Sequence, residues 1–195
     1  MLSRLKGSVD RLLAGPANLL VNLGVTPNML TLAGLATGVV AGIVLALGFF
    51  TAGGVLILIT GFVDTLDGAV ARNRRATTTF GATFDSISDR YVDCIVLLGL
   101  GIAGVNWVYV GVAIMGSLLV SYVRAKAEGM GFHCTAGVAE RSERLIILAI
   151  GLLVGLAEPA VLLVAILAQF TALWRVGLLL RRASERRTSR VPLTK

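Results

Sequence analysis

Four aspartates bound the chemistry open to this chain. Asp64 and Asp67 stand three residues apart and Asp85 and Asp89 four apart, inside otherwise apolar stretches. On helices, both spacings put the two carboxylates on one face. An ionised carboxylate near the centre of a membrane helix costs at least about 2.5 kcal/mol, so the cluster needs compensation. Protonation, pairing with arginine or bound cations would each supply it. Oxygen-only ligands at this density suit a hard divalent cation, Mg2+ or Mn2+. Two such ions would neutralise the four carboxylates, and a diphosphate diester entering the cage would meet Arg72, one helical turn beyond Gly68. Gly68 itself favours the metal site, because glycine inside a helix costs about 1 kcal/mol relative to alanine and opens room beside Asp67. The same acids would also serve a cation or proton path, or Asp–Arg pairs that merely stabilise a bundle. Arg90 and Asp93, three residues apart, read as one such pair.

The elements that must position these residues follow from composition. Hydrophobic residues make up 56% of the 195-residue chain and charged residues 15%, with a mean hydropathy of +0.85. A soluble fold of this size needs a polar shell that such a composition does not provide. Residues 12–63 and 94–123 contain no Asp, Glu, Lys, Arg or His, and apolar runs of that length read as transmembrane helices. The pattern predicts an all-α integral membrane fold with six transmembrane helices, at 27–49, 53–72, 81–103, 106–127, 139–157 and 159–180. Thr26 and Pro27 read as the N-cap and first position of the first span. Ahead of it, Leu2, Leu5, Val9, Leu12 and Leu13 form an apolar stripe that breaks at Gly15–Pro16, predicting an amphipathic juxtamembrane helix within 1–25. The catalytic domain is expected over 26–182 and a disordered basic tail over 183–195. The second and third spans become antiparallel neighbours joined by about eight residues, so the four carboxylates converge at one end.

The net charge of +7 fits membrane topology better than nucleic-acid binding. All 18 Lys and Arg residues fall on one set of connections and helix ends, among them Arg72, Arg74, Arg75, Arg90 and the residues from Arg175 onward. The positive-inside rule then places both termini and the aspartates on the cytoplasmic side of the cell membrane. Cys94 and Cys134 offer neither metal spacing nor a disulfide framework, and His133 reads as an exposed loop residue.

Asp64, Asp67, Gly68, Ala71, Arg72, Gly81, Asp85 and Asp89 together resemble the complete signature of the CDP-alcohol phosphotransferases, at every fixed position and spacing. The resemblance implies a homodimeric six-helix membrane enzyme that displaces CMP from a CDP-activated alcohol, using a second alcohol and two divalent cations. It implies that Asp64, Asp67 and Asp85 hold metal, and that Asp89 completes the cage and acts as general base. Gly68, Ala71 and Gly81 would admit the cytidine nucleotide, with Arg72 on the diphosphate. Asp93 lies one turn beyond the signature and reads as a supporting residue.

A phosphorylated acceptor brings about −1.5 to −2 of charge and needs fixed cations. Arg124, Lys126, Arg141 and Arg144 are available. Helical pairing of Arg124 with Glu128 and of Arg144 with Glu140 would occupy two of them, leaving Lys126 and Arg141; simple topology bias accounts for the set as well. Ser121–Glu128 and Glu140–Leu145 resemble the inositol-phosphate branch of the family, that of phosphatidylinositol-phosphate and archaetidylinositol-phosphate synthases. That branch implies transfer from CDP-diacylglycerol or CDP-archaeol to inositol phosphate. Glycerol 3-phosphate is the alternative acceptor, and a non-enzymatic cation path the alternative class.

Overall fold

The computed structural model describes residues 6–73, 78–132, 137 and 139–188. Leu2, Arg4, Leu5, Arg74, Arg75, His133, Cys134, Arg190 and Lys195 therefore lie outside the described residues. Among those described there are seven helices and no strand: α1 (Lys6–Asn22), α2 (Pro27–Ala46), α3 (Phe50–Asn73), α4 (Thr79–Ile102), α5 (Trp107–Gly129), α6 (Arg141–Leu153) and α7 (Ala157–Thr188).

Four of them, α2, α3, α5 and α7, are long and apolar enough to cross a membrane. Helix α4 has comparable length, 24 residues, but carries Asp85, Asp89, Arg90 and Asp93. Helix α6 has 13 residues and rises only about 20 Å, against a hydrocarbon core of about 30 Å. The sequence predicts a span over 139–157 here. The helix stops sooner because Gly155, at φ 76°, turns the chain into α7. Large apolar side chains cover the outer surface; Leu32, Ile43, Phe49, Ile102, Trp107 and Leu173 are all more than half exposed. An apolar surface of this extent is one that a bilayer covers.

Helix α1 continues through Pro16, where the sequence predicts a break. Leu13 and Ala17 pack with Leu66, Ala69 and Val70 of α3, and this burial offsets the backbone hydrogen bond that proline removes. The helix ends at Asn22, and Gly24, at φ 81°, turns the chain so that Val25 N donates back to Leu20 O. Thr26 then caps α2, its hydroxyl accepting from Met29 N at 3.4 Å with Pro27 at the first position, as predicted. At the other end of the chain, α7 runs on to Thr188, beyond the expected boundary at 182.

Helix α2 packs against both α3 and α4, α5 packs against α7, and α6 against α3 and α7. The sequence predicts that α3 and α4 are direct neighbours. Each instead lies chiefly against α2, and the reason is steric. A Cβ at Gly38 would fall 2.5 Å from Val92 Cγ2, one at Gly42 would overlap Ile95, and one at Gly99 would overlap the Gly42 carbonyl oxygen. Small residues let two membrane helices approach this closely. The apolar core gathers around Leu45, Leu97, Leu100, Leu152 and Val161, toward the helix ends remote from the aspartates. Between α3 and α4 a cleft remains, floored by Leu30, Thr31, Gly34 and Leu35 of α2.

Candidate active site

The cleft is built from four helices. From α3 come Thr60, Asp64 and Asp67, from α4 Asp85, Ser88, Asp89 and Val92, and from α6 Arg141. Thr78 caps α4 by accepting from Gly81 N at 3.0 Å. A Cβ on Gly81 would lie 3.0 Å from Asn28 Oδ1 and 3.1 Å from Thr78 Oγ1, so glycine lets the first turns of α2 and α4 meet. At Gly68 the space for a Cβ lies 3.1 Å from Nη1 of Arg72, whose guanidinium folds back along α3. Arg72 is exposed and Ala71 half-buried.

Asp64, Asp67 and Asp85 each turn one oxygen inward, and these oxygens lie within 4.8 Å of one another. Asp67 is 8% exposed, and its Oδ2 accepts from the Thr31 hydroxyl at 3.1 Å. Asp89 stands beside this trio. Its Oδ1 is 2.8 Å from Nη1 of Arg141, which also lies 3.1 Å from Asp64 Oδ2. That Nη1 is buried without hydrogen-bond alignment to either oxygen, so its contact with the two carboxylates is an ion pair. Asp93 takes the rest of the arginine load, with Oδ1 3.1 Å from Arg141 Nε and Oδ2 3.0 Å from Arg144 Nη2.

Two expected pairings are therefore replaced. Arg90 does not bond Asp93; it donates to the Ser86 carbonyl and sits 3.9 Å from Asp89 Oδ2. Arg144 does not pair with Glu140; it is 3% exposed and donates to Asp93 and to Ala139 O. The Arg124–Glu128 pair forms as predicted, at 2.9 Å. Of the four predicted acceptor-phosphate residues, only Arg141 lines the cleft. Arg124 and Lys126 are exposed on the last turns of α5.

Arg141 and Arg144 occupy the first turn of α6, the positive end of the helix dipole, where a cation is unfavourable. Their aspartate partners make that placement possible. The segment entering α6 is pinned from the far side: Ala139 N donates to Thr171 Oγ1 at 3.3 Å, and a Cβ at Gly137 would lie 2.7 Å from Thr171 Cγ2. Arg175, 2% exposed, braces α7 against α5 by donating to Val120 O at 3.0 Å.

Sequence reasoning overlooks Thr31 and gives Arg175 only a topological role, while Asp93 matters more than it expects. Asp93 does carry a signal, since it repeats the Asp85–Asp89 spacing by one more turn. Arg175 is a lone charge within an apolar run. Thr31 has no such mark. The donor set fits a hard divalent cation: three carboxylates within mutual reach supply only oxygen, and a guanidinium is drawn to their edge without hydrogen-bond alignment.

Residues 24–180 match the family model described as CDP-alcohol phosphatidyltransferase. The archaetidylinositol phosphate synthase of Pyrococcus horikoshii is 37% identical over 178 residues, covering 90% of this chain and 95% of that protein. The enzyme of the same description from Methanothermobacter thermautotrophicus is 39% identical over 154 residues, covering 75% and 79%. A crystal structure of Mycobacterium tuberculosis phosphatidylinositol phosphate synthase with CDP-DAG bound superposes with a TM-score of 0.78 at 29% identity, over 87% of this chain and 94% of that one. The same enzyme in complex with manganese and citrate also gives 0.78 at 29% identity, over 86% and 88%. A carboxylate trio and an arginine-lined cleft, on helices that match along nearly the whole chain, lead to one assignment: this chain belongs to the CDP-alcohol phosphatidyltransferase family.

Proposed function

We propose that this protein transfers the phosphatidyl-type group of a CDP-lipid, CDP-diacylglycerol or CDP-archaeol, to a hydroxyl of inositol phosphate, releasing CMP. The observation that carries this reading is Arg141, a fixed cation lining the same cleft as the Asp64–Asp67–Asp85 trio. The names of the archaeal and mycobacterial relatives support the choice of acceptor.

An acceptor hydroxyl oxygen attacks the lipid-side phosphorus. The new P–O bond forms as the bond from that phosphorus to the bridging diphosphate oxygen breaks, and CMP departs with the electron pair. Asp89, on the acid-bearing face of α4, takes the hydroxyl proton as general base. Asp64, Asp67 and Asp85 would hold two divalent cations, Mg2+ or Mn2+, with Asp89 completing the cage. When bound, such ions supply charge neutralisation at the diphosphate and at departing CMP. Thr31 fixes the Asp67 carboxylate, Arg72 contacts the diphosphate, and Gly68, Ala71 and Gly81 leave room for the nucleotide. Arg141 faces the acceptor phosphate, with Arg124, Lys126 and Arg144 adding positive charge at the same end of the bundle.

In the same reading, α2 to α7 form the six-helix membrane unit of a homodimer and α1 lies in the interface. Both termini and the cleft face the cytoplasm. The polar acceptor then arrives from water and the CDP-lipid from the bilayer.

The test is CMP release by the purified protein in lipid nanodiscs with Mg2+ and a CDP-lipid, comparing inositol 1-phosphate with glycerol 3-phosphate. Release with inositol phosphate alone, abolished by EDTA, is expected. Release with glycerol 3-phosphate alone would reject the acceptor. Lys126→Ala is expected to raise the KM for inositol phosphate far more than that for CDP-lipid; an unchanged acceptor KM would restrict Lys126 to membrane topology.

A further inference from the structure

We infer that Arg141 is an exchangeable counter-ion: its guanidinium competes with a divalent cation for the Asp64–Asp89 edge, and metal loading drives it off that edge into the cleft. The inference rests on the metal-binding reading above and extends it to this arginine. Three features carry it. Nη1 lies 3.1 Å from Asp64 Oδ2 and 2.8 Å from Asp89 Oδ1, a bridging position between two carboxylates. It lacks hydrogen-bond alignment there, so the contact is chiefly coulombic and a cation seated on the same two carboxylates competes with it. The other face of the guanidinium is anchored differently, with Nε donating to Asp93 Oδ1 at 3.1 Å. Asp93 therefore serves as a tether about which Nη1 can turn without releasing the side chain.

Arg144 marks the contrast. It makes hydrogen bonds to Asp93 and Ala139 O, and among the described residues it pairs with no member of the carboxylate trio. The positive end of α6 also disfavours a cation at Arg141, so the aspartates are what hold Nη1 in place. A divalent ion on that edge removes the attraction and adds repulsion. Arg141 then presents its fork to an anion in the cleft only after the site is loaded, which orders metal binding before acceptor binding.

The experiment uses the full-length protein in lipid nanodiscs, stripped with EDTA and titrated with Mn2+ alone, free Mn2+ being read by electron paramagnetic resonance. Mutually exclusive occupation is a coupling free energy, so Arg141→Gln is expected to bind Mn2+ on the order of tenfold more tightly than wild type. Arg144→Gln is expected to show no such gain. Affinity in Arg141→Gln equal to or below wild type overturns the exchange while leaving the metal site standing. Absence of Mn2+ binding in both proteins overturns the exchange together with the metal-binding reading. A second measurement needs no variant: phenylglyoxal labelling at Arg141, read by mass spectrometry, is expected to accelerate severalfold when Mn2+ is added to the stripped protein. Unchanged or slower labelling overturns the proposal.

Discussion

Asp93 is the anion that two arginines share, and Asp93→Asn tests how the arginine layer is held. The substitution keeps the shape and removes the charge. Its amide offers one acceptor oxygen where the carboxylate offered two, so one guanidinium meets an N–H group in place of an oxygen. Arg141 retains Asp64 and Asp89. Among the described residues Arg144, 3% exposed, then retains only the Ala139 carbonyl. Removing one partner of a buried ion pair costs about 3–5 kcal/mol, because the other charge is left uncompensated. The loss falls almost entirely on Arg144, so the expected destabilisation is about 3–5 kcal/mol and not twice that. Reversible unfolding of the metal-free protein in mixed micelles with rising SDS measures it. A double variant, Asp93→Asn with Arg144→Gln, removes both charges and is expected to be more stable than Asp93→Asn alone. An Asp93→Asn protein within about 1 kcal/mol of wild type, or a double variant whose loss equals the sum of the singles, would refute the reasoning.

Asp67→Asn is expected to abolish CMP release and weaken Mn2+ binding, since it removes the charge of one of three converging carboxylates; normal turnover would exclude the metal role. Thr31→Val deletes the hydroxyl on Asp67 at nearly constant shape, and a hydrogen bond to a charged group contributes about 1.5–3 kcal/mol. The expected outcome is roughly ten- to a hundredfold weaker Mn2+ binding with the fold retained by circular dichroism. Gly99→Ala is expected to destabilise by about 1–3 kcal/mol, because its Cβ meets the Gly42 carbonyl oxygen. Gly61→Ala meets nothing within 4 Å and is expected to gain up to about 1 kcal/mol from helix propensity, so the two variants should differ in sign in the same SDS titration.

The aspartates are legible in the sequence because charge stands out in an apolar run and helical spacing fixes which charges share a face. The relation between α3 and α4 is not legible from chain order, since adjacency in sequence does not reveal that α2 lies against both. Gly34, Gly38 and Gly42, four residues apart, carry that information in retrospect, but a stripe of small residues does not name its partner. The break expected at Pro16 follows a local rule that packing against Leu66 and Val70 overrides. Pairing by i,i+4 spacing finds the exposed Arg124–Glu128 pair and misses Arg144, whose carboxylate partner stands 51 residues away. Burial decides the difference: on an exposed surface the nearest charge suffices, whereas a buried guanidinium requires whichever anion the tertiary fold delivers.

The uneven apolarity of the helices has a consequence for how the chain is assembled. Helices α2, α3, α5 and α7 are long and apolar enough to cross a bilayer, and hydrophobicity of that kind favours insertion. Helix α4, with three aspartates and an arginine along it, and the 13-residue α6, with two arginines in its first turn, are less suited to it. In order of synthesis, however, α4 emerges after α2 and α6 after α3, the helices against which each chiefly packs. Each reluctant segment thus meets a finished partner as it leaves the ribosome: a glycine-lined wall for α4, and for α6 a helix already displaying Asp64. Insertion of the charged helices becomes docking onto protein instead of transfer into lipid, and the polypeptide's own sequence order supplies the template.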